Sequence, residues 1–144
     1  MLLDCSGGYL REGLKAEPYA VKPNCSELGI DNDPETALKE ASGIVSGGVT
    51  WCLVSMGSSG AVFADSAHGR FCSPVLETEV RCTTGCGDAM TAGLAYALEK
   101  GMTSGDAFRL CMALATAKAG TDGTAPPSKE LVFRLYDGIP FCGQ

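Results

Sequence analysis

Residues 50–56, Thr-Trp-Cys-Leu-Val-Ser-Met, carry no charge and show no alternation of apolar and polar side chains. A strand of that composition is buried on both faces, as in a parallel sheet covered by helices. The neighbouring segments supply the helices. Residues 34–46 read as a helix, with Asp33 as N-cap, Pro34 at the first helical position and Gly47-Gly48 as its end. Residues 88–100 form a second, closed by Gly101. Thr103 or Ser104 caps a third, which runs to about Ala119 and is apolar nearly all round, the mark of a buried helix. Pro126-Pro127 introduces a last short helix over 128–138. Extended segments are predicted at 2–5 and at 19–24, where Pro23 stops the ladder. A turn and short helix over 6–16 separates them. A hairpin is expected at 61–65 and 69–73, after the turn Gly57–Gly60, and a further extended segment at 76–82. Strands alternating with helices predict an α/β fold with a mostly parallel sheet.

The charge balance narrows the partners. The net charge is −6, and no basic run or arginine stripe is present, which argues against nucleic acid and against an anionic membrane surface. An anionic small ligand stays compatible, because backbone N–H groups bind phosphate without net positive charge. No run reaches the ~18 apolar residues of a membrane span. The start of the sequence has no basic region ahead of a long apolar segment, so no secretory signal is expected there and a cytoplasmic setting is. The eight cysteines include no C-x-x-C pair, and His68 is the only histidine. Free thiols that behave as small apolar residues are expected, rather than a structural zinc site.

Residues 83–93, Thr-Thr-Gly-Cys-Gly-Asp-Ala-Met-Thr-Ala-Gly, leave the backbone bare where a helix begins. A helix N-terminus offers unpaired N–H groups and a partial positive charge. Gly85, Cys86 and Gly87 present such donors, and Asp88 follows in the first turn. Phosphoryl transfer uses both parts: fixed donors stabilise the transferred oxygens, and a carboxylate takes the proton of the attacking hydroxyl. Taken alone, the same residues also suit a tight turn with Asp88 as helix cap.

Cys82-Thr83-Thr84-Gly85-Cys86-Gly87-Asp88 resembles the second signature of the ribokinase-like (PfkB-type) carbohydrate kinases, Asp/Asn-Thr-x-Gly-Ala-Gly-Asp. Three more pieces follow that family's order. Lys22-Pro23-Asn24, with Glu27, is similar to its N-x-x-E motif. Ser55-Met56-Gly57-Ser58-Ser59-Gly60 is similar to its S/T-x-G-x-x-G nucleotide loop. Gly123-Thr124-Ala125-Pro126 is similar to its G-T-x-x-P. Residues 3–24 look most like the 1-phosphofructokinase and tagatose-6-phosphate kinase branch.

The resemblance implies a three-layer αβα ribokinase-like fold with helices on both faces of the sheet, and an ATP-dependent kinase acting on a ketose phosphate. Asp88 would be the catalytic base, and the N–H groups of Gly85, Cys86 and Gly87 the anion hole for the γ-phosphoryl group. Asn24 and Glu27 would position Mg²⁺ through water, which suits a hard cation that keeps part of its hydration. Lys22 and Thr83 would lie near the phosphates. Ser55, Gly57 and Gly60 would line the nucleotide, and Met90, Ala117 and Thr121 would border the adenine. Read without the resemblance, Lys22 is a surface lysine, Glu27 a solvated helix carboxylate, and Met90 and Ala117 core.

Two positions depart from the pattern. Cys82 stands where the family has Asp or Asn, and Cys86 where it has Ala. A cysteine at a helix N-terminus is expected to have a lowered thiol pKa, so Cys86 would sensitise the site to oxidation or alkylation. The resemblance covers residues 1–144 but only the C-terminal, nucleotide-binding half of such a kinase. The N-terminal half, with the sugar pocket and lid, is outside this sequence, so these residues are expected to be inactive alone. Their sheet is expected to expose an edge that drives self-association, a dimer for example. A kinase of the same fold with another sugar or nucleoside acceptor, and an inactive nucleotide-binding module, remain open alternatives.

Overall fold

The computed structural model describes residues 1–140 in full and 142–143 by their backbone. It divides into two compact units. The first covers Met1–Pro74 and takes in the short strand at 142–143, and the second begins at Val75.

The first unit is built on a sheet of β1 (Leu2–Leu3), β2 (Ala20–Val21), β3 (Trp51–Ser55), β4 (Ala61–Asp65), β5 (Arg70–Ser73) and β6 (Cys142–Gly143), in that spatial order. Strands β1, β2 and β3 run parallel, whereas β3–β4, β4–β5 and β5–β6 are antiparallel. The sheet is therefore mixed rather than mostly parallel. The cause is connection length. Helix α3 (Pro34–Ser46) carries the chain back between β2 and β3, but only a 3₁₀ turn over Gly57–Ser59 joins β3 to β4. So short a link cannot make a parallel crossover.

Helix α3 keeps the predicted bounds for the predicted reasons. The Asp33 carboxylate accepts from the Thr36 N–H at 2.8 Å, and Pro34 opens the first turn. Ala37, Ala41 and Val45 recur every fourth residue and are buried in one cluster with Cys52, Val54, Val62 and Ala64 of the sheet. Leu10 of α1 (Gly8–Leu14) joins them. Each fully buried Val or Leu contributes roughly 1.5–3 kcal/mol. Alternation along β3 puts Trp51 and Leu53 on the other face. There an aromatic row runs across the strands, Tyr19–Trp51 and Trp51–Phe63 edge-on at 5.7 Å and Phe63–Phe71 at 6.2 Å. Strand β2 is shorter than predicted, and Pro23 is followed by a one-turn helix, α2 (Cys25–Leu28), that no periodicity announces.

The second unit is helical: α4 (Cys86–Lys100), α5 (Ser104–Ala119) and α6 (Lys129–Gly138). Gly101 closes α4 with φ 62°, Thr103 caps α5, and Ser128 caps α6. Helices α4 and α5 meet at Gly93, where a Cβ would stand 3.3 Å from the Cα of Cys111. Residues 76–82 are a loop rather than an extended strand. The N–H groups of Arg81 and Cys82 both donate to the Ala119 carbonyl, at 2.8 and 3.1 Å, so the end of α5 holds this segment. Cys5, Cys25, Cys52, Cys72, Cys82 and Cys86 are free thiols, and the side chain of Cys142 lies outside the described residues. Among the described residues no helix is long and apolar enough to cross a membrane.

Candidate active site

Each unit carries one cluster of the predicted residues. In the second unit Gly85 is the N-cap of α4, in the left-handed conformation (φ 84°, ψ 1°) that favours glycine. Its carbonyl starts the helix by accepting from the Ala89 N–H at 2.9 Å. Among the described residues no side chain caps this end. Asp88 lies in the first turn, exposed, and is not the helix cap that its position also suited. Among the described residues no hydrogen bond or ion pair engages its carboxylate, so the group is uncommitted. The three expected backbone donors are not equal. The Cys86 N–H already reaches the carbonyl of Thr83, at a long 3.3 Å. By their place in the first turn, Gly87 and Asp88 have N–H groups without a partner one turn back.

A cavity of ≈ 340 Å³ opens at this turn, lined by Thr84, Gly85, Asp88, Ala89, Ala92, Lys118 and Thr124. Met90, Ala117 and Thr121 are not part of that lining. Met90 and Ala117 are core residues, at 7% and 1% exposure. The Thr121 hydroxyl is tied to the Lys118 carbonyl at 2.8 Å and to that of Ala125 at 3.0 Å. The apolar wall of the cavity comes instead from Ala89 and Ala92, one face of α4.

Lys118 is the residue that sequence reasoning missed. It is 6% exposed and lies near the end of α5. Its Nζ donates to the Gly123 carbonyl at 2.7 Å and to the Thr121 hydroxyl at 3.0 Å. Its stem runs so close under the glycine turn that a Cβ on Gly85 would meet Cε at 3.1 Å. The available signal was a lone charge in the alanine-rich run 113–119.

The thiols differ from expectation. Burial raises the pKa of Cys86, and the Lys118 charge offsets this only in part. Helix-end activation does not prevail over desolvation. Cys82 is lowered instead, first by its hydrogen bond with Thr84 and further by the Lys118 charge.

In the first unit Asn24 caps α2. Its Oδ1 accepts from the Glu27 N–H at 2.8 Å, and Glu27 Oε2 accepts from the Asn24 N–H at 2.9 Å. This capping box uses one oxygen of each side chain. Asn24 also bridges to Ser55 in parallel fashion, and the Ser55 N–H donates to the Pro23 carbonyl at 3.1 Å. The motif around Lys22 and the serine–glycine loop are thus neighbours through the sheet. Lys22 is no surface lysine: it is 6% exposed, and its ammonium stands 3.6 Å from Asp4. The loop glycines have separate reasons. A Cβ on Gly60 (φ 99°) would collide with the Ser73 carbonyl, so the sheet itself requires glycine there. At Gly57 (φ 57°) nothing lies within 4 Å, and the position faces open space.

Residues 1–131 match the model of the pfkB family carbohydrate kinases. The chain belongs to that family. Among relatives, this pfkB-family chain is 35% identical to the 1-phosphofructokinase of Rhodobacter capsulatus, over 92% of the chain and 43% of the relative. It is 34% identical to the 1-phosphofructokinase of Borreliella burgdorferi, over 83% of the chain and 40% of the relative. Among solved structures, phosphofructokinase-2 from Escherichia coli in complex with substrates and products superposes with a TM-score of 0.86 at 26% identity. That likeness covers 96% of this chain and 47% of the other. Ribokinase from Thermotoga maritima superposes at 0.66 and 20% identity over 83% of this chain, a likeness of fold. The ribokinase-like α/β fold follows. The pfkB-family chain spans less than half the length of these relatives.

Proposed function

We propose that this chain is the nucleotide-binding half of an ATP-dependent kinase that phosphorylates a hydroxyl of a ketose phosphate, of the 1-phosphofructokinase or tagatose-6-phosphate kinase type. One observation carries the reading: the uncommitted Asp88 carboxylate shares a cavity with the bare N-terminus of α4. In this reading the γ-phosphate of ATP sits on the N–H groups of Gly85, Gly87 and the first turn, with Cys86 contributing once its long bond to Thr83 yields. Asp88 accepts the proton of the sugar hydroxyl as that oxygen attacks the γ-phosphorus, and ADP leaves with the bridging oxygen. Correct placement of such a base contributes about 10²–10⁴-fold. An oxyanion donor contributes about 10²–10³-fold.

Asn24 and Glu27 suit Mg²⁺ held through water. After capping, Glu27 retains a second carboxylate oxygen, a hard donor of the kind that cation takes. When bound, the ion neutralises phosphate charge. Lys22, Thr83, Ser55, Gly57 and Gly60 are assigned to the nucleotide by their motifs, with Gly57 the one whose open side leaves room for a ligand. Met90, Ala117 and Thr121 are assigned to the adenine by the resemblance alone, Met90 and Ala117 from the core and Thr121 from a hydroxyl tied to two carbonyls. The same reading places the protein in the cytoplasm and has the short edge strand β1 pairing with a second copy.

The test is a Mg-ATP titration read by thermal shift, on the chain and on Ser55→Trp, followed by ADP release with fructose 1-phosphate or tagatose 6-phosphate. The second step is run with a separately expressed N-terminal half of a 1-phosphofructokinase. Saturable stabilisation, and turnover abolished by Asp88→Asn, are expected. A cooperatively melting chain that ignores ATP overturns the reading.

A further inference from the structure

Lys118 is an ammonium shut away from water among neutral groups. Its residue is 6% exposed, and its two hydrogen-bond partners are a carbonyl and a hydroxyl. No carboxylate lies within ion-pairing distance of it among the described residues. A buried charge without a counter-charge is costly, and proteins keep one where something pairs with it. Three N–H bonds are available on an ammonium, and two are spent. The side chain also lines the cavity at Gly85 and Asp88, with its stem against the glycine turn. Asp88 itself does not reach it.

We propose that Lys118 is a phosphate-binding residue of this site, supplying from α5 the fixed positive charge that the glycine turn of α4 lacks. Its occupant is the terminal phosphate of a nucleoside triphosphate. The proposal rests on the reading of the cavity as a phosphoryl site and deepens it. Backbone N–H groups alone offer partial charges, whereas the ammonium adds a full one in a partly water-excluded place, where it acts strongly. The bonds to Thr121 and Gly123 hold it there, so little side-chain freedom is lost when the anion arrives. Lys118 thus discriminates by phosphate charge and is indifferent to the base.

The experiment measures binding of Mg-ATP, adenosine and inorganic tripolyphosphate to the chain and to Lys118→Gln and Lys118→Arg, with melting followed alongside. Gln keeps a donor for the Gly123 carbonyl and removes the charge, and Arg keeps the charge. Loss of about tenfold or more in affinity for ATP and tripolyphosphate is expected in Lys118→Gln, with adenosine binding unchanged, since a bond to a charged group is worth that much. Lys118→Arg is expected to retain most of the affinity and to bind ATP more tightly than Lys118→Gln does. If ATP binds Lys118→Gln as tightly as the parent, the role of Lys118 is refuted and the phosphate reading of the cavity stands. Equal losses for ATP and adenosine identify Lys118 as a support for the loop and also refute it. If the parent chain binds adenosine but neither ATP nor tripolyphosphate selectively, both readings fall. Should Lys118→Gln not fold, Lys118→Met, which keeps the stem and removes the charge, is titrated in its place: ATP bound as tightly as by the parent, or equal losses for ATP and adenosine, refutes the charge role.

Discussion

Asn24 and Glu27 hold each other by two reciprocal side chain-to-backbone bonds, at 2.8 and 2.9 Å. The same two residues are the proposed Mg²⁺ pair, so structure and chemistry are entangled in one motif and have to be separated by substitution. Glu27→Gln keeps the bond and removes the charge. We expect an unchanged melting temperature and a rise of about tenfold or more in the Mg²⁺ needed for ATP-induced stabilisation. Asn24→Ala, in contrast, removes a cap and costs about 1 kcal/mol in urea unfolding. Equal Mg²⁺ requirements in parent and Glu27→Gln would remove Glu27 from the metal reading.

Gly57 and Gly60 stand three residues apart in one motif and differ in what a methyl group would meet. Gly60→Ala forces a Cβ onto the Ser73 carbonyl at positive φ, and should destabilise by well over about 1 kcal/mol. Gly57→Ala meets nothing within 4 Å and bears only the cost of left-handed backbone, about 1–2 kcal/mol. Denaturant midpoints at constant slope would check the order. A Gly57→Ala chain that folds but loses ATP binding would support close approach of the nucleotide there.

Cys82, and not Cys86, should be the reactive thiol. The hydrogen bond with Thr84 favours the Cys82 thiolate, while burial disfavours that of Cys86. Alkylation by iodoacetamide, followed by peptide mass spectrometry across pH, is expected to modify Cys82 first and at lower pH. Thr84→Val should move the Cys82 profile upward. Faster labelling of Cys86 would contradict the burial argument.

Acid should loosen the second unit through Asp106. Its carboxylate accepts from the Thr103 hydroxyl at 2.7 Å and the Tyr136 hydroxyl at 3.0 Å, and these bonds hold its pKa below the usual aspartate range. A folded-state pKa depressed below the unfolded value gives a contribution present above about pH 4 and lost as pH falls through the folded value. Asp106→Asn is expected to flatten the stability–pH curve below pH 4 and leave its slope near neutrality unchanged. An identical acid limb in the variant would exclude Asp106 as a source.

What the sequence revealed and what it concealed follow the range of the interactions. Helix ends were legible because their causes are local: Asp33 with Thr36, Gly101, and Thr103 with Asp106. The cavity turn was legible for the same reason, since Gly85 and Asp88 are three residues apart. Lys118 was not, because its importance lies in facing Gly85 across 33 positions of chain. The expected lowering of the Cys86 thiol pKa failed likewise, since burial of Cys86 depends on packing. The loop at 76–82 reads as a strand until its amides are seen to bond to Ala119.

The antiparallel part of the sheet, β3 to β5, is drawn from residues 51–73 joined by two tight turns. The parallel part needs helices between its strands. Pairing in the first region closes small loops, and in the second large ones, so the hairpin region has the lower entropic barrier. In kinetic terms the chain carries its own nucleus at its middle. Protection of amides from hydrogen exchange should therefore arise first in β3–β5 and only afterwards in β1 and β2, which makes the order of assembly a property of two short connections, the turns between β3 and β4 and between β4 and β5.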